Sequence, residues 1–466
     1  MLGDREIVRR FLDTNLQVHP DVVKYLKDQQ NPGLIDEIIA GVPAHTIVVG
    51  PRHVPGWKTE KDGTRFLGDP YVEIISGNAV PNGKGVEFLD FNHYFRDRYS
   101  RLSTILRNRV SAMPIEALTK NSRYRQEDTA IIGMVAGVRT TARGHRMATL
   151  EDATGTINVL FNRDREIFAE AEKIIPDEVI GINGTLSSDG TLFFAETLVR
   201  PDIPMNNAPF KSDRPGRAVL ISDVHVGSDT FLAEAWDRFS SWLSTANVQY
   251  LLIAGDIVDG IGIYPGQEQE LTIPNIYDQY DAFAEMLRRL PSHLQIIVSP
   301  GNHDVVRGSE PQPALPAAFT AKFPDNVIQV ENPALVGVQG VRVLMYHGRS
   351  YDDLISMIPG ASYTDPAAMM EEMLRRRHLA CTYGMRTPIM AAKKDRLLID
   401  PVPEILHTGH VHICGIRRYR NVLCVNSGTW QAQTKFQKQM NITPTPARAT
   451  VVDLQTLDVE IFDFNA

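Results

Sequence analysis

Three cysteines in 466 residues are too few for a disulfide framework, and Cys381, Cys414 and Cys424 form no CxxC pair. This excludes a disulfide-stapled secreted scaffold and a thiolate zinc knot, and it makes a reducing cytoplasm the expected setting. Long apolar runs are missing too. Nothing approaches the ~20 residues of a membrane helix, so no membrane partner is expected. The start, MLGDREIVRRFLD, is charged and amphipathic where a signal peptide would be apolar. Positive charge is in short supply, with a formal net charge of −8. A protein that coats nucleic acid through bulk charge is thereby excluded, whereas a local basic groove is not. Low-complexity tracts are absent, and at this length two or three domains are expected.

What the chain has instead is five short polar blocks in a fixed order. They carry Asp223 and His225; Asp256 and Asp259; Asn302, His303 and Asp304; His347; and His410 and His412. Each follows an apolar run of strand character: AVLIS (218–222), YLLIA (250–254), LQIIVS (294–299), VRVLMY (341–346) and EILHT (404–408). Strands that end in ligand-bearing loops are how a sandwich of sheets gathers scattered side chains at one rim. The donors are carboxylates, imidazoles and one amide, a set suited to two divalent metal ions. Mn²⁺ is favoured by ligand type, with Fe, Zn or Mg²⁺ as alternatives.

Two neighbouring cations need a shared carboxylate, or their repulsion would part them. Asp256, central among the blocks, is the expected bridge. Asp223, His225 and His412 then complete one metal's shell, and Asn302, His347 and His410 the other's. Water held between two such cations loses a proton readily and becomes a nucleophile. His303, left outside both shells, is placed to protonate a leaving oxygen, with Asp304 expected to fix its tautomer. Asp259 is a further carboxylate behind the ligands. Arg307 and Arg349 follow two of the blocks and are candidates to hold a phosphate. Tyr264 and Trp430 either stack on a terminal base or finish the core, with core packing expected.

Upstream, residues 1–45 show helical periodicity and read as a helical docking segment. Residues 46–85, rich in proline and glycine, read as a linker, so removing 1–85 is expected to spare hydrolysis. Phe91–Arg109 reads as an amphipathic helix with a solvated basic face (Arg96, Arg98, Arg101, Arg107, Arg109). From Asp128 to Val199 five short strands, with one helix between the third and fourth, follow the order of an OB barrel. Its Leu150, Asp152, Thr154, Gly155, Ile157, Val159 and Phe161 resemble the LxDxTGxIxVxF run of nucleic-acid OB folds. The barrel serves either to bind single strands, through Arg139, Arg143, His145, Arg146 and Arg163, or to pack. Residues 86–200 thus form an OB-fold domain with a preceding helix, and 201–466 the metal domain. Arg375, Arg376 and Arg377, on a helix after two glutamates, read as a solvated face. Met369, Met370, Met373 and Leu374 there are candidates to meet a partner.

The blocks DxHxG, GDxxD, GNHD, HG and GHxH resemble those of the calcineurin-like metallophosphoesterases, most closely a nuclease branch of that family. The runs around Asp259–Glu268, His347–Asp353 and Gly428–Gln431, with the order of modules, are similar to the small subunits of archaeal family D DNA polymerases. The resemblance implies a multidomain α/β and β fold. A helical segment comes first, then a five-stranded OB barrel, then a two-sheet α/β/β/α phosphoesterase domain. It implies a proofreading 3′–5′ exonuclease that partners a large catalytic polymerase subunit and acts on single-stranded DNA or a primer 3′ end. A sliding clamp is a further contact left open. A non-catalytic scaffold subunit and a stand-alone metal-dependent phosphatase are the alternatives.

Overall fold

The structure, a computed structural model, describes residues 3–42, 46–50, 53–55, 70–77, 88–120 and 127–465. Among them no helix is long and apolar enough to cross a membrane.

All five apolar runs form strands, and they divide between two sheets. The first sheet runs Val327–Gln329, Gln295–Ser299, Tyr250–Ala254, Arg217–Ile221, Arg448–Asp453, Val459–Asp463. The second runs Cys414–Tyr419, Val422–Ser427, Ile405–Thr408, Val341–Met345, Ala334–Val338, Val72–Ser76. The ligand-bearing strands pair in parallel within each sheet, Tyr250 against Gln295 and Val343 against Ile405. Their C-terminal ends therefore share one rim. Parallel strands covered on both faces need apolar residues at every position, which is why these runs do not alternate.

Between the sheets lie Leu220, Leu252, Ile297, Val336, Val343 and Ile405, all fully buried. Outside the first sheet pack Ala233–Leu243 and Ile276–Arg288 through Trp236, Phe239 and Phe283. Outside the second pack Tyr351–Met357 and Pro366–Arg376 through Leu354, Met370 and Met373. The result is the expected α/β/β/α sandwich. Met369, Met370, Met373 and Leu374 are core residues and offer no surface to a partner.

The five strands Asp128–Thr140, Arg146–Glu151, Thr156–Phe161, Val179–Leu186 and Leu192–Val199 close into a barrel, with the helix Phe168–Ala171 after the third. The LxDxTG run proves to be a turn device. Asp152 Oδ1 accepts from the Thr154 and Gly155 N–H groups at 2.7 and 3.0 Å, and Oδ2 from Ile115 N–H at 2.9 Å. Three short helices, Asp4–Leu12, Pro20–Gln29 and Pro32–Gly41, enclose a small core of Ile7, Phe11, Val22, Leu26, Ile35 and Ile38.

Three readings need correction. Val72–Ser76, within the stretch taken as a linker, adds an edge strand to the second sheet against Ala334–Val338. Deleting 1–85 would strip that strand, so such a truncation does not leave the phosphoesterase domain whole. The helix Phe88–Arg107 packs on the barrel through Leu102 and Leu106, sends Tyr94 into the sandwich core and keeps Arg96 and Arg107 exposed, but its basic face is not solvated throughout. Arg98 on it is fully buried: it donates to Asp395 Oδ2 (2.7 Å), the Cys381 carbonyl (2.6 Å), the Asp177 carbonyl (3.2 Å) and Tyr94 Oη (2.8 Å). Nor are Arg376 and Arg377 solvated, at 1% and 5% exposure. Arg376 and Arg200 lie 3.2 and 3.1 Å from the buried Glu178 carboxylate of the barrel domain. Two enclosed ion networks therefore join barrel to sandwich.

Burial would raise the Asp395 pKa, but His378 and Arg98 outweigh it and hold the carboxyl below its usual range. With the folded pKa below the ordinary ~3.9, this contribution is fully present above about pH 4 and fades as pH falls further. Asp395→Asn is expected to cost ~3–5 kcal/mol, since it strands Arg98 unpaired in the interior. Urea denaturation at pH 7 checks this, and the deficit should shrink below pH 4.

Candidate metal centre

Each polar block begins where a strand of the sandwich ends, three from one sheet and two from the other. The seven candidate ligands meet there in two groups that share Asp256. In one, His225 Nε2 and His412 Nε2 stand 3.1 Å apart, at 3.8 and 3.4 Å from Asp223 Oδ1. In the other, His347 Nε2 lies 3.2 Å from Asp256 Oδ2 and 3.1 Å from Asn302 Oδ1. His410 joins this second group, with ligand atoms of Asp256, His347 and His410 within 4.8 Å of one another. Asp256 Oδ2 is also 3.8 Å from His225 Nε2, so the carboxylate stands between the groups. Carboxylates, imidazoles and an amide oxygen that converge at these distances are what a cation satisfies once the imidazole protons leave. The donor set fits two divalent ions.

Local backbone chemistry explains how the loops achieve this. Asp223, His225, Asp256, His410 and His412 all adopt left-handed φ, from 49° to 71°. Each costs ~1–2 kcal/mol for a residue with a Cβ. Two glycines allow the loops to touch. A Cβ on Gly301 would enter Asp256 Oδ1, and one on Gly409 would enter Asp223 Oδ2.

Behind the ligands a second layer fixes their rings. His225 Nδ1 meets Asp259 Oδ1 at 3.2 Å, and Gln267 and Gln431 donate to that carboxylate at 2.9 and 3.0 Å. His347 Nδ1 donates to the Ala254 carbonyl (3.0 Å), which turns Nε2 toward Asp256. Asp352 Oδ2 reaches His410 Nε2 at 3.5 Å, and the Gln437 amide reaches His412 Nδ1 at 2.7 Å. Asp352, Gln267, Gln431 and Gln437 escaped the sequence reading. Asp352, Gln267 and Gln431 had a signal, since each sits in one of the three runs singled out around Asp259–Glu268, His347–Asp353 and Gly428–Gln431; Gln437 had none.

His303 lines the cleft, its main-chain N–H on Asp256 Oδ1 (2.8 Å) and its Nδ1–H on the Asp259 carbonyl (2.7 Å). Asp304 does not touch that ring. It accepts from Gly301 N–H (2.8 Å), Ile257 N–H (3.3 Å) and Tyr280 Oη (3.0 Å), and so pins the turn that carries Asn302 and His303. Burial and the nearby Asp256 charge push its pKa up to about 6.

Arg307 and Arg349 are likewise corrected. Their guanidinium groups donate to the Pro311 carbonyl (2.6 Å) and the Gly308 carbonyl (2.9 Å), and neither lines the cleft. The cations that do are Arg386 and Lys435, in a cleft of about 710 Å³. Arg139, Arg143 and Arg146 stay on the barrel. Arg143 is exposed in the loop before the second barrel strand, Arg139 lies on Met147 Sδ (2.9 Å), and Arg146 reaches the Ile174 carbonyl (3.4 Å). None of the three lines the cleft. Trp430 is buried at 1%, whereas Tyr264, at 37%, faces the cleft.

Burial would discharge all these groups; it prevails at His412 and His303, holding both below the ordinary imidazole value, whereas mutual contacts prevail at Asp223, His225 and His347. Hydrogen bonds from His225 and His412 hold Asp223 far below the usual carboxylate range. Asp223, Asp259 and Asp256 bring His225 up to about 10, and Asp256 brings His347 up to about 9. At neutral pH the metal-free site therefore carries protons that incoming cations must displace. Calorimetric titration with Mn²⁺ in two buffers of different ionisation enthalpy should show net proton release. Affinity should fall steadily as pH drops from 9 to 6.

A family model described as calcineurin-like phosphoesterase matches residues 216–414. The DNA polymerase II small subunit of Halobacterium salinarum is 45% identical over 398 residues, covering 84% of this chain and 78% of that protein. That of Archaeoglobus fulgidus is 46% identical over 393 residues, covering 82% and 78%. That of Thermoplasma acidophilum is 35% identical over 472 residues, covering 100% and 94%.

Proposed function

Because this chain belongs to the family of DNA polymerase II small subunits and carries a calcineurin-like phosphoesterase domain, we propose that it is the proofreading 3′–5′ exonuclease of a two-subunit polymerase. Its substrate is the single-stranded or frayed 3′ end of DNA, and its partner the large polymerising subunit. The observation that carries the reading is the assembly of all seven ligand positions at one rim, with His225, Asp256, His410, His412 and His303 lining a cleft edged by Arg386 and Lys435.

Asp223, His225 and His412 would hold one divalent ion and Asn302, His347 and His410 the other, with Asp256 between them. When bound, the ions supply Lewis acidity toward phosphate and a readily deprotonated water. Mn²⁺ is the proposed metal, because imidazole, carboxylate and amide donors without thiolate suit it.

His303 supplies the proton. Its Nδ1–H is committed to the Asp259 carbonyl, so the neutral ring has no second N–H to offer. Only the imidazolium can donate, from Nε2. As water adds to phosphorus and the P–O3′ bond breaks, that proton passes to O3′. The products are a 5′-nucleotide and a strand shortened by one, with a free 3′ hydroxyl. Arg386, exposed at the cleft, presents a guanidinium fork to the neighbouring phosphate.

The two buried ion networks that weld barrel to sandwich support a second reading, a rigid non-catalytic scaffold for the polymerase. A stand-alone phosphatase has no such use for the barrel. Digestion of a 5′-labelled single-stranded oligonucleotide with Mn²⁺ separates the readings. A ladder of shortened labelled products, abolished in Asp256→Ala, is expected. Silence from the wild-type chain, even with the large subunit added, would leave the scaffold.

His303→Ala should retain metal but lose ~10²–10⁴ in turnover. In the wild type, kcat/KM should fall on the alkaline side as the imidazolium is lost. That limb should vanish from the residual activity of the variant, and a persistent limb would assign the proton to another group.

A further inference from the structure

The mouth of the metal cleft carries apolar side chains that the chemistry above leaves unused. Phe436 is 63% exposed and Met440 54%, and both line the cleft together with Tyr264. Exposed aromatic residues are ordinary when scattered. These are not scattered, and their positions are fixed relative to the ligands.

Phe436 lies on the helix Lys435–Gln439, whose start is closed by a capping box between Thr434 and Gln437. The same Gln437 extends its amide to His412 Nδ1 at 2.7 Å. The residue next to Phe436 is thus anchored to a candidate ligand, which sets the ring at the lip of the cleft. Across the lip, Tyr264 donates its hydroxyl to Glu270 Oε2 at 3.0 Å. Lys435 Nζ reaches the other oxygen of Glu270 at 3.2 Å. One carboxylate therefore holds the Tyr264 loop and the Phe436 helix together, and occupies the cation next to the ring. Phe436, Tyr264 and Met440 thus form an apolar patch at the cleft mouth, with Gln439 and Arg386 also in the lining.

We propose that Phe436, supported by Tyr264 and Met440, stacks on the unpaired base at the 3′ end of the substrate strand while the adjoining phosphate occupies the metal centre. The occupant is a nucleobase because the surface adjoins a phosphodiester-cleaving site and offers flat aromatic faces. The patch itself, made of two aromatic rings and a thioether, meets a base through its faces and not through its hydrogen-bonding edge. Stacking of this kind is sequence-tolerant, since every base has a π-face. A paired terminal base is already stacked and hydrogen-bonded within its duplex, whereas a mismatched one is released at little cost. The platform would thus favour frayed ends, which is the selection that proofreading needs. This inference rests on the nuclease reading of the same cleft.

The test removes the ring and the base separately. Oligonucleotides with a fluorophore at the 5′ end and either a natural or an abasic 3′-terminal nucleotide are titrated, with Mn²⁺ present, with the full chain bearing His303→Ala, which keeps the ligand set and slows cleavage. The titrations are repeated with Phe436→Ala and with Phe436→Trp added. Stacking worth ~1–3 kcal/mol corresponds to ~5- to 150-fold in affinity. Phe436→Ala should therefore weaken binding of the natural end by roughly tenfold or more. The abasic end should already bind weakly and change little, and Phe436→Trp should restore the natural end. Equal losses on both ends would make Phe436 a structural support and overturn the proposal, as would no loss on either. Oligonucleotide cleavage by the unmutated chain, run in parallel, distinguishes the two failures. Cleavage without a base-dependent effect of Phe436 sinks the platform alone, whereas no cleavage and no binding sink the nuclease reading with it.

Discussion

Three carboxylates, Asp223, Asp256 and Asp259, lie within one rim at 0–2% exposure, and the rest of the molecule is arranged around that concentration of buried negative charge. An isolated ionised carboxylate in a protein interior is unstable by many kcal/mol, and it either gains a proton or acquires a cation. Here the answer is imidazole. Protons on His225 and His347 neutralise the site when it is empty, and the same nitrogens are donors once cations replace those protons. The second layer follows from the same requirement. Gln267 and Gln431 donate to the Asp259 carboxylate, and Asp259 in turn sets the His225 ring.

Rigidity is the second requirement, because five residues at the rim hold left-handed backbone. At ~1–2 kcal/mol each, that strain approaches the 5–15 kcal/mol by which a domain is stable at all. Ordinary loops would relax it. These cannot, because each is the continuation of a strand buried between two helical layers, and Gly301 and Gly409 bring neighbouring loops into contact. Arg98 and the Glu178 network extend this stiffness to the barrel, which is packed through fully enclosed ion pairs. Pairs of that kind add little net stability over apolar packing, but they tolerate only one docking geometry.

The strand-and-block pattern was readable from sequence because it depends on local order: an apolar run, then a polar loop, five times over. The barrel was readable for the same reason, since strand spacing and one helix define it. What sequence obscured are relations across the chain. His303 and Asp304 are neighbours and were paired on that ground, yet consecutive residues in a tight turn point apart. Asp304 faces the backbone of its own turn, while the His303 ring finds the carbonyl of Asp259. Arg98 is one of five arginines in one stretch, and nothing local says that its guanidinium pairs with the Asp395 carboxylate, nearly three hundred residues on. The arginine run 375–377 shows the limit most plainly. Its helix-pair spacing suggested a solvated face, but Arg376 is enclosed against Glu178 of the barrel and Arg377 against the Ile399 carbonyl, contacts with residues distant in sequence that local spacing does not show.

The choice between nuclease and scaffold turns on the same physical terms. A scaffold needs the barrel interface and the sandwich core, and neither requires Asp223, Asp256, His410 or His412 to sit in strained, dry positions. Relaxing those loops to glycine or to water-facing turns would stabilise a pure scaffold and leave its docking geometry untouched. The site lowers stability in a way that is offset only when cations bind, because ligand binding to the folded state alone restores what strain and desolvation remove. Metal addition should therefore raise the melting temperature of the full chain, and Asp256→Ala should lose that response. Strain alone is read in His410→Gly, which keeps the Asp256 carboxylate and should equal or exceed the metal-free wild type in stability, since glycine adopts a left-handed φ without a Cβ. A variant less stable than the metal-free protein would mean that the rim is built to support the fold, and would return weight to the scaffold.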